Sequence, residues 1–438
     1  MLSYAFTEEQ EDLREMVREF AQAEIAPLVE EAERNEKFPV QVLPMLGELG
    51  LLGIVFPEEY GGIGADKITE CIFVEEMAKV CAGITASVNA HADLAAFPIY
   101  KFGTDAQREK YLPRSIAGEI IGAYAITEPN TGSDAAGLAT RAEKKNGGYV
   151  INGRKNFITN GTICDYCLVA AYTDRTKRGE GISVFIVDRD TPGFEVTRKL
   201  EKMGHRSSDT AELVFEDCEV PEEALLGGKE GAFGALMGAL ITGRVSHGVK
   251  SAAIAEAAFD AARQYATERE AFGRSISKFQ AISFKLADMA TRIEAAKALA
   301  YKAAWLYSTG QPCVKEASMA KYFSAEVSRA AGTTRNLLAI SSGVLPSSPF
   351  WDRSARRAAA SVVSEMVAPL AARLAWAASN NFLVSDITGP MPLLAVSRST
   401  RNCASNWAEA EANSLPISEN APRLSFTMDW RLMAKMRP

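Results

Sequence analysis

Apolar positions recur at three- and four-residue steps from the start of the chain. Leu13, Met16, Val17, Phe20 and Ala21 fall on one face of a helix. Thr7 followed by Glu8, Glu9 and Gln10 has the make-up of a capping box, which places the helix start just after Thr7. Helical character extends to about residue 120, punctuated by Pro27, Pro39 and the run from Pro57 to Gly64. A second helical block, Asp66 to Val80, leads to a loop at Asn89-Ala90-His91-Ala92-Asp93-Leu94. From about Gly122 to Leu226 the period shortens. Tyr149-Val150-Ile151, Tyr166 to Ala170, Ile182 to Val187 and Ala211 to Phe215 are short β-rich runs, separated by turn clusters such as Asn146-Gly147-Gly148 and Pro192-Gly193. They predict a compact β-domain, a small barrel or sandwich. Helical periodicity returns from Phe233 to Thr334 in alanine-rich stretches, the mark of long, closely packed helices as in a bundle. The order helices, strands, helices predicts an α+β fold with segregated parts. The expected divisions are an N-terminal helical domain (1–120), a central β-domain (121–229), a C-terminal helical bundle (230–334) and a tail (335–438).

The tail differs in statistics. Tyr322 is the last tyrosine, and Lys435 is the only lysine after Lys321. Gly343 and Gly389 are the only glycines past Gly332, while four of the five tryptophans (Trp351, Trp376, Trp407, Trp430) lie in the tail. Some helix is expected from Ala358 to Ala378; from about Asn380 no period is sustained.

Across 438 residues the net charge is -7, which suits an acidic protein and argues against a nucleic-acid surface. The opening residues lack the basic and apolar regions of a signal peptide, and no apolar run reaches the roughly 18 residues of a membrane span. A cytoplasmic address is the expectation. Seven cysteines are scattered. Cys164 and Cys167 form a lone C-x-x-C, read as buried, reduced thiols in a strand; no metal site is expected.

Two stretches carry candidate chemistry. Tyr124-Ala125-Ile126-Thr127-Glu128-Pro129-Asn130-Thr131-Gly132-Ser133-Asp134 reads as a strand running into a turn rich in backbone N–H groups and small hydroxyls, able to bind an anionic or carbonyl-rich ligand. Asn152-Gly153-Arg154-Lys155-Asn156-Phe157-Ile158-Thr159-Asn160-Gly161 places an aromatic and a hydroxyl two residues apart, on one side of an extended segment. Taken singly, each also reads as an ordinary turn or strand.

Together they resemble the T-E-P-x-x-G-S-D and [WF]-I-T-N-G signatures of the acyl-CoA dehydrogenase family. Three further resemblances follow that family's order. They are Tyr60-Gly61-Gly62-Ile63-Gly64, the loop from Lys202 to Thr210, and Glu268-Arg269-Glu270-Ala271-Phe272-Gly273 with Ile276 and Gln280. The resemblance covers residues 5 to about 334. It implies FAD as cofactor, an acyl-CoA substrate, an electron-transfer flavoprotein as partner and a homotetramer. It further implies that Ile126 and Thr127 contact the flavin ring and that Ser133 lies near the pyrophosphate or the thioester arm. Phe157 would stack beside the ring, with Thr159 bonding near N5. Arg269, Phe272 and Gln280 would belong to the dinucleotide site, the first two reaching the adenosine diphosphate of a neighbouring subunit's FAD, and Arg244 would face CoA. His205 and His247 read as structural.

The reaction implied is α,β-dehydrogenation, in which a carboxylate takes the α-proton. The family's usual settings for that carboxylate are absent: Gly243 stands at one, and no E-G-T stretch follows for the other. Glu365, next to Ser364 where the family spacing lands, is one candidate base. Asp93, in a segment similar to one lining the acyl pocket of relatives, is the other. Two readings of the tail stay open, a shift of reading frame near codon 335 and a poorly ordered extension. Translating the gene in its other two frames separates them, since a G-G-x-G or E-G-T stretch there favours the shift. The competing functional readings are a catalytically impaired flavin- or CoA-binding relative, and a flavin oxidase or monooxygenase of the same fold.

Overall fold

A computed structural model describes residues 6–341. The N-terminal part is built from α1 (Glu8–Phe20), α2 (Ala26–Asn35), α3 (Val42–Glu48), α4 (Lys67–Val80), α5 (Ala82–Asn89), α6 (Phe97–Phe102) and α7 (Asp105–Ile116). The expected capping box opens α1. Thr7 Oγ1 accepts from the Gln10 N–H at 3.2 Å, and the Gln10 side chain accepts from the Thr7 N–H at 3.2 Å.

Helix α4 is the centre of this part, packed by α1, α8 and α9. Its residues are buried on every side, including Lys67, Glu70, Glu75 and Glu76, so each charge on it needs a partner. Glu75 has Arg14 at 3.2 Å and Lys297 at 2.7 Å. Burial pushes its carboxyl up, but Lys297, Lys79 and Arg14 outweigh that and bring it down to about 2. The Tyr60-Gly61-Gly62 run is a tight turn. Gly61 has φ 88°, and a Cβ on Gly62 would lie 2.0 Å from the Phe56 carbonyl oxygen.

One expectation is corrected here. Asn89 to Leu94 is not a loop: α5 runs into a π-helical segment, Ala90–Ala96, which runs into α6. Polar Asn89, His91 and Asp93 suggest exposure, but all three are buried, and His91 and Asp93 find partners within the fold. His91 donates from Nε2 to the Ser115 carbonyl at 2.9 Å and accepts at Nδ1 from the Gly122 N–H at 3.0 Å. It is neutral, its basicity lowered by burial, and it pins the helical part to the first strand.

The central part is one mixed sheet of seven strands. They are β1 (Gly122–Ala125), β2 (Arg141–Lys145), β3 (Gly148–Thr159), β4 (Tyr166–Tyr172), β5 (Ile182–Asp188), β6 (Phe194–Lys199) and β7 (Thr210–Pro221). The order is β1-β4-β2-β3-β7-β6, with β5 also pairing β4. Every residue of β4 is buried. Its alternation splits the core: Cys167, Val169 and Ala171 face one apolar cluster, while Tyr166, Leu168, Ala170 and Tyr172 pack against α6 and α7. Cys164 precedes β4 and Cys167 lies in it. Both are buried and free, and burial pushes the Cys164 thiol up to about 12.

The C-terminal part holds α8 (Phe233–Glu268), a hairpin of β8 (Glu270–Ala271) and β9 (Arg274–Ser275), α9 (Gln280–Ser308) and α10 (Val314–Ser341). Alanines dominate where the three helices meet, as with Ala252, Ala255, Ala296 and Ala331. Such small side chains allow close approach: a Cβ on Gly248 would lie 3.2 Å from the Ala320 Cβ. Glu365 and the expectations for the tail lie outside the described residues.

Candidate active site

Strand β1 delivers Ile126 and Thr127 to a tight turn, closed by Glu128 and Thr131, which bond to each other through their backbones at 2.9 and 3.1 Å. The turn is tied to β3. The Asn156 N–H donates to the Thr127 carbonyl at 2.8 Å, and Lys155 Nζ donates to the Ile126 carbonyl at 3.1 Å. Lys155 also meets Glu128 Oε1 at 2.8 Å. Glu128 is completed by the backbone N–H groups of Ala139 and Thr140 and by the Thr140 hydroxyl. Burial works against both charges, raising the carboxyl and lowering the ammonium. The attraction of Lys155 and these hydrogen bonds prevail at Glu128, which is held below the usual carboxylate range.

The segment Lys155–Ile158 breaks the register between β3 and β7. The expected placement of Phe157 and Thr159 by simple extended alternation therefore does not hold. A bulge intervenes, Phe157 takes φ 60°, and its N–H donates to the Asn156 side chain at 2.8 Å. The result is a phenylalanine 64% exposed beside half-buried Thr159. A bulky residue in the left-handed region costs of order 1–3 kcal/mol, which the surrounding structure must offset. Asn160 anchors the far end, its side-chain N–H groups donating to the Ser87 and Gly122 carbonyls at 3.0 and 3.3 Å. Ser133 is exposed on the loop after the turn. The Lys202–Thr210 loop docks on α2, where the Ser207 hydroxyl donates to Glu33 at 2.6 Å.

The second arginine–aromatic motif has the same character. Phe272 (φ 53°) and Gly273 (φ 74°) form the two-residue tip of the β8–β9 hairpin, and Phe272 is 86% exposed. Its one ring contact among the described residues is Phe279, at 6.0 Å between centroids. Arg269 leads into the hairpin and Gln280 opens α9, both exposed. Among the described residues no ring contact joins this hairpin to Phe157.

Asp93 belongs to a different constellation. Lys67 Nζ lies 3.1 Å from Asp93 Oδ1 and 2.6 Å from Glu70 Oε1, and the Ser246 hydroxyl of α8 donates to Glu70 at 3.2 Å. Glu70 Oε2, Asp93 Oδ2 and Asn89 Nδ2 are buried with no hydrogen-bond partner. Glu70, Asp93 and Asn89 line one cavity of about 20 Å³, roofed by Leu52, Phe73 and Val88. Burial and the charge of Asp93 push the Glu70 carboxyl up. Asp93 is also raised by burial, but Lys67 outweighs this and holds it below the usual range. Nearby on α8, burial pushes Lys250 down to about 8 and His247 down to about 3. Leu94, next to Asp93, faces Gly243, whose added Cβ would lie 3.2 Å from the leucine. Half-buried Arg244 follows on the same helix.

Sequence reasoning singled out Phe157 and Thr159 but missed Lys155 and Glu128, and it picked Asp93 without Lys67 or Glu70. The signal was present in both cases. Lys155 sits in a β-rich stretch and is fully buried, and α4 carries charges with no polar stripe to hold them.

Three family descriptions match in chain order: acyl-CoA dehydrogenase N-terminal domain over residues 7–119, middle domain over 123–218 and C-terminal domain over 231–340. An acyl-CoA dehydrogenase of Bacillus subtilis (strain 168) is 46% identical over 320 residues, covering 73% of this chain and 84% of the relative. The structure of butyryl-CoA dehydrogenase from Megasphaera elsdenii superposes with a TM-score of 0.77 at 38% identity, covering 82% of this chain and 95% of that one. A chain in a structure of the electron transferring flavoprotein of Acidaminococcus fermentans gives the same TM-score, 0.77, at 43% identity, covering 82% and 94%.

Proposed function

The chain belongs to the acyl-CoA dehydrogenase family, and from that premise we propose that it oxidises a short-chain acyl-CoA to the enoyl-CoA, using FAD and passing electrons to an electron-transfer flavoprotein. The observation that carries this reading is the pair of strained, exposed phenylalanines, Phe157 and Phe272. Each offers an open aromatic face of the kind a flavin dinucleotide stacks on, one beside Thr159 and the Ile126–Thr127 turn, the other beside Arg269. The similarity to butyryl-CoA dehydrogenase supports a short acyl chain, and the similarity to a chain of a flavoprotein electron carrier's structure supports the partner. The separation of the hairpin from the sheet supports a site shared between subunits of a tetramer. The cytoplasm is the proposed address.

The donor set fits a flavin. The turn offers backbone N–H groups at Ile126 and Thr127, Thr159 offers a hydroxyl, and Phe157 offers an open ring face. The bound flavin supplies the two-electron acceptor. Phe157 and Thr159 fix its plane and edge, while Arg269, Phe272 and Gln280 of a neighbouring subunit hold the dinucleotide. An arginine suits phosphate better than a lysine would, because its planar fork bonds two oxygens at once. Ser133 and Arg244 take the thioester and CoA.

Of the two candidate bases, Asp93 has support among the described residues. It is ionised, buried, and keeps Oδ2 without a partner. Against it stands Lys67, which lowers its basicity. The purified full chain, mixed with butyryl-CoA without oxygen, tests the reading: bleaching of the flavin band supports it. D93N separates the bases. A loss of bleaching rate of about 100-fold or more, with flavin retained, assigns the proton to Asp93; an unchanged rate turns attention to E365Q. A second reading, a flavin-binding relative without turnover, draws on the end of the family match at residue 340 of a 438-residue chain. Flavin that no thioester bleaches would favour it.

A further inference from the structure

We propose that Lys155 and Glu128 are positioning residues that tune the flavin electrically as well as holding its site together; this rests on the flavin reading above. The pair lies under the proposed ring site, fully out of solvent, and it does more than neutralise itself. The Lys155 ammonium divides its hydrogen bonds between Glu128 Oε1 at 2.8 Å and the Ile126 carbonyl at 3.1 Å.

That second bond matters because the Ile126 carbonyl and the Thr127 N–H belong to one peptide unit. A cation donating to the carbonyl draws electron density toward the oxygen and makes the N–H at the other end a stronger donor. In a buried site such polarisation is not screened by water. The next peptide plays another part: its Thr127 carbonyl accepts from the Asn156 N–H at 2.8 Å and its Glu128 N–H donates to the Thr131 carbonyl at 2.9 Å, so it holds the turn in place. The Thr127 N–H, one of the donors that would meet the flavin ring, is therefore strengthened from behind by a fixed positive charge. Negative charge develops on the ring when it takes electrons, and stronger donors favour the reduced form.

Glu128 has the opposite effect on the ring and a clear structural task. Two backbone N–H groups, a hydroxyl and the ammonium saturate its oxygens, so it holds Lys155 in place. Fold stability alone does not call for such a pair, because well-packed apolar residues commonly replace buried ion pairs at no loss. The bond to Ile126 is the part an apolar pair would not reproduce.

The two charges pull the flavin in opposite directions, and the test uses that sign. The full chain and its K155M, K155R and E128Q variants are reduced stepwise against a dye of known potential, with FAD affinity measured in parallel. K155M is expected to lower the preference for reduced over oxidised flavin by about tenfold, equal to about 30 mV for a two-electron couple. K155R is expected to restore most of it. E128Q is expected to shift the potential the other way, since it removes the negative charge and keeps an acceptor for Lys155. If K155M does not fold, the sign of the E128Q shift decides. Shifts of the same sign, or an E128Q protein with bound flavin at the wild-type potential, would overturn the proposal. Wild-type protein that takes up no FAD would instead overturn the flavin reading on which it stands.

Discussion

Two buried lysine–carboxylate clusters divide the work of this molecule, and they differ in how completely they are satisfied. At the sheet, Lys155 and Glu128 use every oxygen and tie the Ile126–Thr127 turn to β3. In the helices, Lys67 serves two carboxyls at once and leaves Glu70 Oε2 and Asp93 Oδ2 without partners. A closed network fixes geometry. An open one, with two acids and one cation, has charge and hydrogen-bonding capacity to spare. The difference matches the two proposed roles, rigidity beside the proposed flavin ring and adjustable protonation at the proposed base Asp93.

The largest effect that could break this comparison is on stability. K67M removes the cation that bonds both Asp93 and Glu70 and should cost about 3–5 kcal/mol in urea unfolding. K155M leaves Glu128 its three other donors and should cost less, about 1–3 kcal/mol. Equal costs would erase the distinction. S246A, which removes one hydrogen bond to Glu70, should cost about 0.5–1.5 kcal/mol by the same measurement.

E70Q sharpens the contrast through pH. The Glu70 carboxyl is raised from 4.5 to about 8 in the folded state, so the native chain binds that proton more tightly than the unfolded one. Stability should then fall as pH rises from about 4.5 to about 8, and E70Q should flatten that fall. A slope unchanged in E70Q would show that Glu70 is not the group that holds the extra proton. F157G should have the smallest effect on folding, within about 1 kcal/mol of wild type, because it relieves φ 60° while losing an exposed ring. Its flavin should nevertheless bind more weakly, which equilibrium dialysis would detect.

Legibility in the sequence followed locality. The capping box at Thr7, the strand runs and the alanine-rich helices depend on neighbours a few residues apart, and the structure contains them. Phe157 was identified, but its bulge was not, because the register shift depends on pairing with β7, more than fifty residues away. The polar residues of the π-helical segment at Ala90–Ala96 mimic a loop, because their partners Lys67 and Ser115 lie far off in the chain, where no local pattern reveals them. Lys67 and Glu70 escaped notice for the same reason. Their importance comes from lying against Asp93 and α8, distant in the chain.

In the proposed function, the bulged β3 segment and the hairpin arginine together grip a flavin dinucleotide. The visible spectrum of freshly purified full chain, with cofactor quantified after release, tests it most directly. The expected result is a yellow protein carrying FAD at close to one per chain, or taking it up when supplied. Colourless protein that binds no added FAD would contradict it.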